Sequence, residues 1–571
     1  MTGLHRKLFR DYKSMGAQVF TIALLISGGV SVLVSSWSSY QSLEKAKDSF
    51  YQDYQFADIF AEVVRAPESI AHLVSRLDGV EKLESRIIKE GLVEVSGQVE
   101  PALGRFISWR GDHQSLNSIY LRLGHMPQAG SQIEVLVHEA FAAAHHLKIG
   151  DTLGVSIAGQ KKKLLISGLG LSPEYVYALS PITPLPDDKH FGVFWLRQED
   201  LAALTGMAGA FNSLQLKVTN SSSLSELKQQ IDVILQPYGS IQSYDRSRQL
   251  SHIFVEDEIR QQRVMAMVIP AIFLAVAMFI LNIILSRMVS LHRAQIATLK
   301  SLGYGAWSLL LHYFQLVTLV LLSGIVPSLF LGAWIGHWYA GLYEEFFRFP
   351  SIDFSLSTSA IVFGFVAGLV PGWISAFGAL RRVFSLQPAE ALRPPSPPPF
   401  QKGLFEKLGL TKRLSVFSKM ILRSMLFRPF RLVLSVLGMA AALAILINGA
   451  FWSDVVDYMI DRQFHEMRRE DFSVRLAHPK DLSVFSELNH VPGVILIEGE
   501  RSVPVRLQYK NFKKDISLSG SSKESSLSRT LDQEGRVIEP VKGGILLSRY
   551  FETALGLKVG DRGFPNFSRG G

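Results

Sequence analysis

Apolar and polar positions along this 571-residue chain follow three patterns of different length. The longest is a set of nearly uncharged apolar runs, each long enough to cross a hydrocarbon core of about 30 Å as a helix. Five are read: Ala17–Trp37, Val264–Leu285, Trp307–Trp338, Ser357–Leu380 and Leu432–Trp452. The third exceeds a perpendicular crossing and contains Pro327, so a tilt or a break is predicted there. Residues 38–263, between the first two runs, carry shorter patterns. Gly91–Ser96, Ile133–Val137, Lys163–Ser167, Phe191–Trp195 and Leu214–Val218 read as strands, and Ser223–Leu235 as a helix capped by Ser223. An α+β extracytoplasmic domain is therefore predicted. Tyr40–Tyr54 leads into it and Tyr244–Arg263 out of it, as polar stalk helices that prolong their spans.

The third pattern fills the short interval 286–306 between the second and third runs. At 100° per residue, Met288, Leu291, Gln295, Leu299 and Leu302 share one stripe, with Arg293 and Lys300 well around the cylinder. Gly303 and Gly305 stop the helix. An amphipathic helix held between two spans can dock in a groove of a cytosolic partner and carry motion to the membrane. The plainer alternative is an interfacial helix whose basic residues snorkel to headgroups.

Charge sets the expected orientation. The arm 1–16, the 286–306 loop and the linker 381–431 together hold eighteen Lys and Arg against Asp11, Glu390 and Glu406. They carry +15 while the whole chain carries +9, which leaves −6 for the rest. By the positive-inside rule these three segments, and the N-terminus, are cytoplasmic. The basic balance thus reports topology, and nucleic-acid binding is not expected because no basic-aromatic patch lies in a soluble domain. The first run has a basic flank but no small-residue cleavage site, and reads as an uncleaved signal anchor. The chain has no cysteine, which removes disulfides and thiolate chemistry.

The chain also repeats itself. Phe141–Asp151 recurs as Phe551–Asp561, and Arg10-Asp-Tyr-Lys13 before the first run is echoed by Phe427–Arg431 before the fifth. Two copies of a span, outer domain and three-span unit are expected, the second ending within its outer domain at 453–571, so that the chain reads as C-terminally incomplete. Between the copies, Pro394–Pro399 reads as a stiff spacer, with a ligand for a proline-binding domain as the other possibility.

Little else in the sequence carries chemistry. His138-Glu139 is not followed by a histidine at 142, where a zincin needs one, so no metal site is expected. No Gly-x-x-x-x-Gly-Lys phosphate loop occurs, so the chain is not expected to hydrolyse nucleotide. The polar residues within the spans (Gln18, Asn282, His312, Gln315, His337 and Asn448) include neither carboxylate nor lysine, which disfavours an ion-coupled carrier. No cofactor is expected.

Arg293-Ala-Gln-Ile296, with Leu299-Lys300 and Leu302-Gly303, resembles the coupling region of FtsX-like (MacB-like) permeases, the membrane subunits of a class of ABC transporters. Gln295 stands where that pattern usually has Glu. Pro388-Ala-Glu-Ala-Leu-Arg393 resembles the signature that follows the last span of such a unit. Phe50-Tyr51, Phe56–Ala61, Arg65-Ala-Pro67 and Gly168–Ala178 fit patterns of two-copy members. The resemblance implies an α-helical integral protein of the bacterial inner membrane with large α+β extracytoplasmic domains. It implies a separate cytosolic ABC ATPase, working as a dimer, that docks on Met288, Leu291, Arg293, Gln295, Leu299, Lys300, Leu302 and Gly303. Export or extraction of an amphiphile such as a lipid, lipoprotein or hydrophobic compound is the first expectation, with an envelope partner or lipoprotein as further contact. Mechanotransmission to an envelope enzyme is the second, and a membrane-anchored receptor the third.

Overall fold

The computed structural model describes residues 3–385 apart from 96–97, 99–100, 112–114, 181–185 and 220–223, then 415–418, 420–421 and most of 429–569. The chain divides into two compact units, one of residues 1–238 and 243–444, the other of 239–242 and 445–571.

Among the described residues, four helices of the first unit are long and apolar enough to cross a membrane: Gly16–Asp53, Leu250–Leu291, Ala306–Phe346 and Thr358–Gly378. In hydrocarbon every backbone polar group must be bonded within its own segment, which a helix does and an irregular chain does not. This explains why Pro327 interrupts nothing: Ala306–Phe346 is one helix through it, and the predicted break does not occur. Lipid gives helices no hydrophobic reason to associate, so close contact must hold them. A Cβ added at Gly29 would lie 2.9 Å from Phe273, at Gly324 2.8 Å from the carbonyl oxygen of Ala23, and at Gly368 2.6 Å from Ile325. Around these approaches Ile26, Val30, Leu274, Leu281, Val317, Leu321 and Ala376 form one buried cluster. The amide of Asn282 donates to the carbonyl of Ser375 at 2.9 Å, and the Ser375 hydroxyl donates to that of Met278 at 2.8 Å, fastening the second helix to the fourth.

Gly16–Asp53 and Leu250–Leu291 have 38 and 42 residues. At 1.5 Å per residue each is about 60 Å long, roughly twice a bilayer core, so both project as stalks. The predicted helical exit over Tyr244–Arg263 needs correction at its start. Ile241–Asp245 is a strand and 246–248 a single 3₁₀ turn. The helix begins only at Leu250, where the Gln249 side chain accepts the His252 backbone N–H at 2.6 Å.

The stalks carry a domain of two interleaved parts. A four-stranded sheet is ordered 241–245, 59–67, 210–218, 80–86, and the pairs of 59–67 and 80–86 with 210–218 are antiparallel. Helices Glu68–Val74 and Leu224–Leu235 cover it through Val74, Leu227 and Ile231. Ser223, the expected cap of the latter, lies outside the described residues. Residues 88–197 are inserted between the strands 80–86 and 210–218. They form a ring: Gln160–Leu171 pairs with Ile133–His138, then in turn Phe191–Arg197, Ala102–Trp109, Ile88–Glu94 and Thr152–Ile157, which pairs back with Gln160–Leu171. This closed six-stranded barrel, with Tyr120–Gly124 as an extra strand on its side, leaves no ring strand with an open edge. Val93, Phe106, Val135, Val155, Ile166 and Phe194 fill it, Phe106 and Phe194 stacking at 5.1 Å. Every strand predicted from the sequence lies in one of these two sheets.

In the second unit, Glu500–Tyr509 pairs antiparallel with Phe512–Ser521 on one side and Asn566–Arg569 on the other. The fifth apolar run lies in helix Pro429–Asp461, within which the division between units falls. The linker 386–413, with Pro388–Arg393 and the proline run, lies outside the described residues, as does most of the repeat Phe551–Asp561.

Candidate coupling site

The second spanning helix ends at Leu291, and His292 (φ −83°, ψ 6°) turns the chain before a nine-residue helix, Arg293–Ser301. The end of that helix is built by Gly303. Its φ of +91° is left-handed, a conformation a Cβ would strain. The N–H of Gly303 donates to Lys300 O at 3.1 Å and that of Tyr304 to Leu299 O at 3.1 Å, the paired bonds of a Schellman cap. Gly305 then opens the third spanning helix.

This break corrects the single helix predicted within 286–306 and its stripe. A stripe at 100° per residue needs an unbroken helix, and His292 resets the phase. Met288 is buried in the bundle, Leu299 is half-buried, and Gln295 is exposed. Leu291 and Leu302 are each 71% exposed, and Trp307, just beyond, is 73% exposed. The residues that fix the short helix to the bundle are Ile296 and Ala297, both fully buried, with Ile296 in the cluster that holds Met288, Leu309 and Tyr313. Arg293 and Lys300 are half-buried, and partial desolvation pulls the Lys300 ammonium below the ordinary lysine value. The turn therefore presents apolar groups outward while holding on by two inward residues.

The same end of the bundle carries the N-terminal helix Gly3–Ser14, which seats Leu8 in that cluster. Asp11, buried, pairs with Lys7 one turn back and lies 3.6 Å from Nε2 of the buried His312. Next to it the Tyr313 hydroxyl is 3.3 Å from Nδ1 of His292. Burial pushes the His292 imidazole below its usual value, and the Lys7 charge adds to this. The first helix, the third span and the break thus share one polar cluster.

At the opposite end the stalks meet the outer domain through buried charge. Arg86 donates to Glu84 at 2.9 Å and to Glu174 at 2.9 Å, and also to the Leu116 carbonyl. Gln215 donates to the other Glu174 oxygen at 2.7 Å, Asn117 donates to Gln215 at 2.9 Å, and Gln249, at the head of the second stalk, donates to the Glu174 carbonyl at 2.8 Å. Burial pushes the Glu174 carboxyl up, against the pull of Arg86. Between the stalks Lys47 bonds Glu256 at 2.6 Å. Burial lowers the Lys47 pKa, but the Glu256 bond and charge outweigh it and leave it above the ordinary lysine value. Arg122 of the side strand donates to the carbonyls of Phe349 and Pro350, just past the third spanning helix, at 3.2 and 2.7 Å.

His138 and Glu139 do not form a centre. His138 is buried with Nε2 3.1 Å from the Tyr175 carbonyl, and Glu139 accepts from Arg122 at 3.1 Å. Burial, then the Arg348 charge, holds the imidazole down to about 4. Among the described residues no group of three His, Asp or Glu could hold a metal ion. Arg86, Glu174, Lys47 and Glu256 were not legible as partners, since they lie 88 and 209 residues apart. Lys7 and Asp11 were not read as a pair either, although their spacing of four on a helix is a signal that could have shown it.

Residues 267–388, which include this turn, the end of the helix before it and all of the helix after it, match the family described as FtsX-like permease C-terminal. No curated protein sequence matches the chain. Among solved structures, the extracellular domain of the noncanonic ABC-type transporter YknZ from Gram-positive bacteria is 10% identical, with 32% of this chain and 97% of that one covered and a TM-score of 0.23. The periplasmic region of MacB from Actinobacillus actinomycetemcomitans is also 10% identical, with 37% and 95% covered and a TM-score of 0.24. Residues 267–388 are thus similar to the C-terminal domain of FtsX-like permeases, in a chain whose described residues include four helices long and apolar enough to cross a membrane.

Proposed function

We propose that the chain is the membrane subunit of an ABC transporter and that a separate ATPase docks on the turn 291–307. The observation that carries this reading is the outward apolar surface of Leu291, Leu302 and Trp307 beside a short helix seated on the bundle through Ile296 and Ala297. An exposed apolar patch at a fixed turn is unfavourable in water and is relieved by a partner. The charge pattern supports a cytoplasmic position for this end and for the N-terminus. Two unbroken helices lead from that end to the outer domain, so a tilt imposed at the turn reaches the Arg86–Glu174 joint without an intervening loop. Export or extraction of an amphiphile is the action this suits first. Mechanotransmission to an envelope partner is a second reading, favoured by the same continuous stalks.

Copurification of the tagged full-length chain from its native membranes, followed by mass spectrometry, tests the reading. A stoichiometric ATPase with a phosphate-binding loop is expected. A complex that holds only outer-surface proteins would speak for a receptor instead.

A further inference from the structure

A groove of about 650 Å³ opens beside the first spanning helix at the end that carries helix Gly3–Ser14, with Ser323 of the third spanning helix also in its lining. That size falls within the roughly 300–1,000 Å³ of small-molecule sites. Phe9, Tyr12 and Lys13 of the short helix form one wall, and Gly16, Val19 and Phe20 of the spanning helix the other. Phe9 and Phe20 are 65% and 68% exposed, so the protein leaves both rings uncovered. The short helix is two-faced. Leu8 and Asp11 point into the bundle, while Arg6, Arg10 and Lys13 are exposed on the other side. Asp11, the only acid before Glu44, is turned inward to Lys7 and His312. Among the described residues none of the three outer cations makes an ion pair.

We propose that this groove binds one anionic glycerophospholipid, an acyl chain lying between Phe9 and Phe20 along Val19 and the phosphate held at Lys13. Apolar walls that face hydrocarbon favour a lipid chain over water. Clustered cations one turn outside a span attract anionic headgroups and gain nothing comparable from a zwitterionic one. The proposal rests on the membrane placement of the first helix and not on the identity of any ATPase. Such a lipid would hold the short helix, and through the Asp11–His312 contact the start of the third span, at the level of the bilayer surface.

The test is native mass spectrometry of the full-length protein, washed free of lipid and returned to micelles containing equal phosphatidylglycerol and phosphatidylcholine. The wild-type protein is expected to retain phosphatidylglycerol over phosphatidylcholine by at least about fivefold, and Lys13→Glu to cut that preference on the order of tenfold. Gly16→Leu acts independently, because a Cβ at Gly16 meets no atom within 4 Å and Gly16 lines the groove that the longer side chain would fill. It should lower retention of both lipids, while Lys13→Arg stays close to wild type. Both substitutions are at exposed positions, and an unchanged melting temperature checks the fold. Equal retention of the two lipids by the wild-type protein, or retention unaffected by either Lys13→Glu or Gly16→Leu, overturns the proposal.

Discussion

The two ends of the stalks are built on opposite principles. At the outer joint, charged and amide groups are buried and bonded to one another: Arg86 to Glu84 and Glu174, Gln215 to Glu174, Gln249 to the backbone. At the turn, the apolar groups face outward and only Ile296 and Ala297 are locked inside. A buried, bonded charge network tolerates little displacement, because breaking one member strands its partners in low dielectric. The short helix at the turn instead packs on the bundle through Ile296, Ala297 and the half-buried Leu299, apolar contacts that leave no buried charge stranded when they shift. The two ends therefore differ in what displacement would cost, and the difference follows from which residue types each end buries.

Three substitutions would break or sharpen this contrast. Arg86→Met should have the largest effect, about 3–5 kcal/mol on the outer domain, since Glu84 and Glu174 are left buried without their cation. Thermal unfolding of the purified protein reads this out, and a loss under about 1 kcal/mol would show the network to be less essential than its burial implies. Second, His138 has its pKa held down to about 4, against an unfolded value of about 6.5. The unfolded chain then binds a proton that the folded barrel refuses. Stability is full above about pH 6.5 and falls as the pH drops toward 4, by about 3 kcal/mol in all. His138→Gln should flatten that part of the stability–pH curve, and an unchanged slope would assign it to other groups. Third, Ile296→Ala should cost about 2 kcal/mol locally and quicken amide exchange over 293–301 while the barrel amides stay protected. Uniform loss of protection would mean that the turn is not a separate element.

The parts of this molecule that could be read from the sequence are those set by local pattern. Apolar runs uninterrupted by charge became long helices, four of them in the first unit, because a bilayer admits few other solutions. Five strands run apolar or alternate and so declared themselves, whereas 59–67, 80–86, 102–109, 120–124, 152–157 and 241–245 were not read. Closure of the barrel was not legible, since its ring depends on pairing 88–94 with 152–157 and 102–109 with 191–197, contacts with no signature in either segment alone. Its insertion into another sheet was hidden for the same reason. At the turn, the glycines announced the stop correctly, but the stripe did not survive: one residue, His292, left the helical phase and moved the inward face to Ile296 and Ala297. Arg86 and Glu174 gave no cue, because a buried pair between distant segments resembles two surface charges until the fold joins them.

The central claim is that the outward residues of the turn bind a partner while contributing little to the fold. Leu302→Glu replaces an exposed leucine, so stability should stay within about 0.5 kcal/mol of wild type. In a docked complex the same carboxylate would enter an apolar contact, at a cost on the order of a few kcal/mol, or roughly a hundredfold or more in affinity. Quantitative copurification of the ATPase with wild-type and Leu302→Glu protein, at equal expression and equal melting temperature, measures this directly. The account predicts near-complete loss of the ATPase from the variant, and full recovery would contradict it.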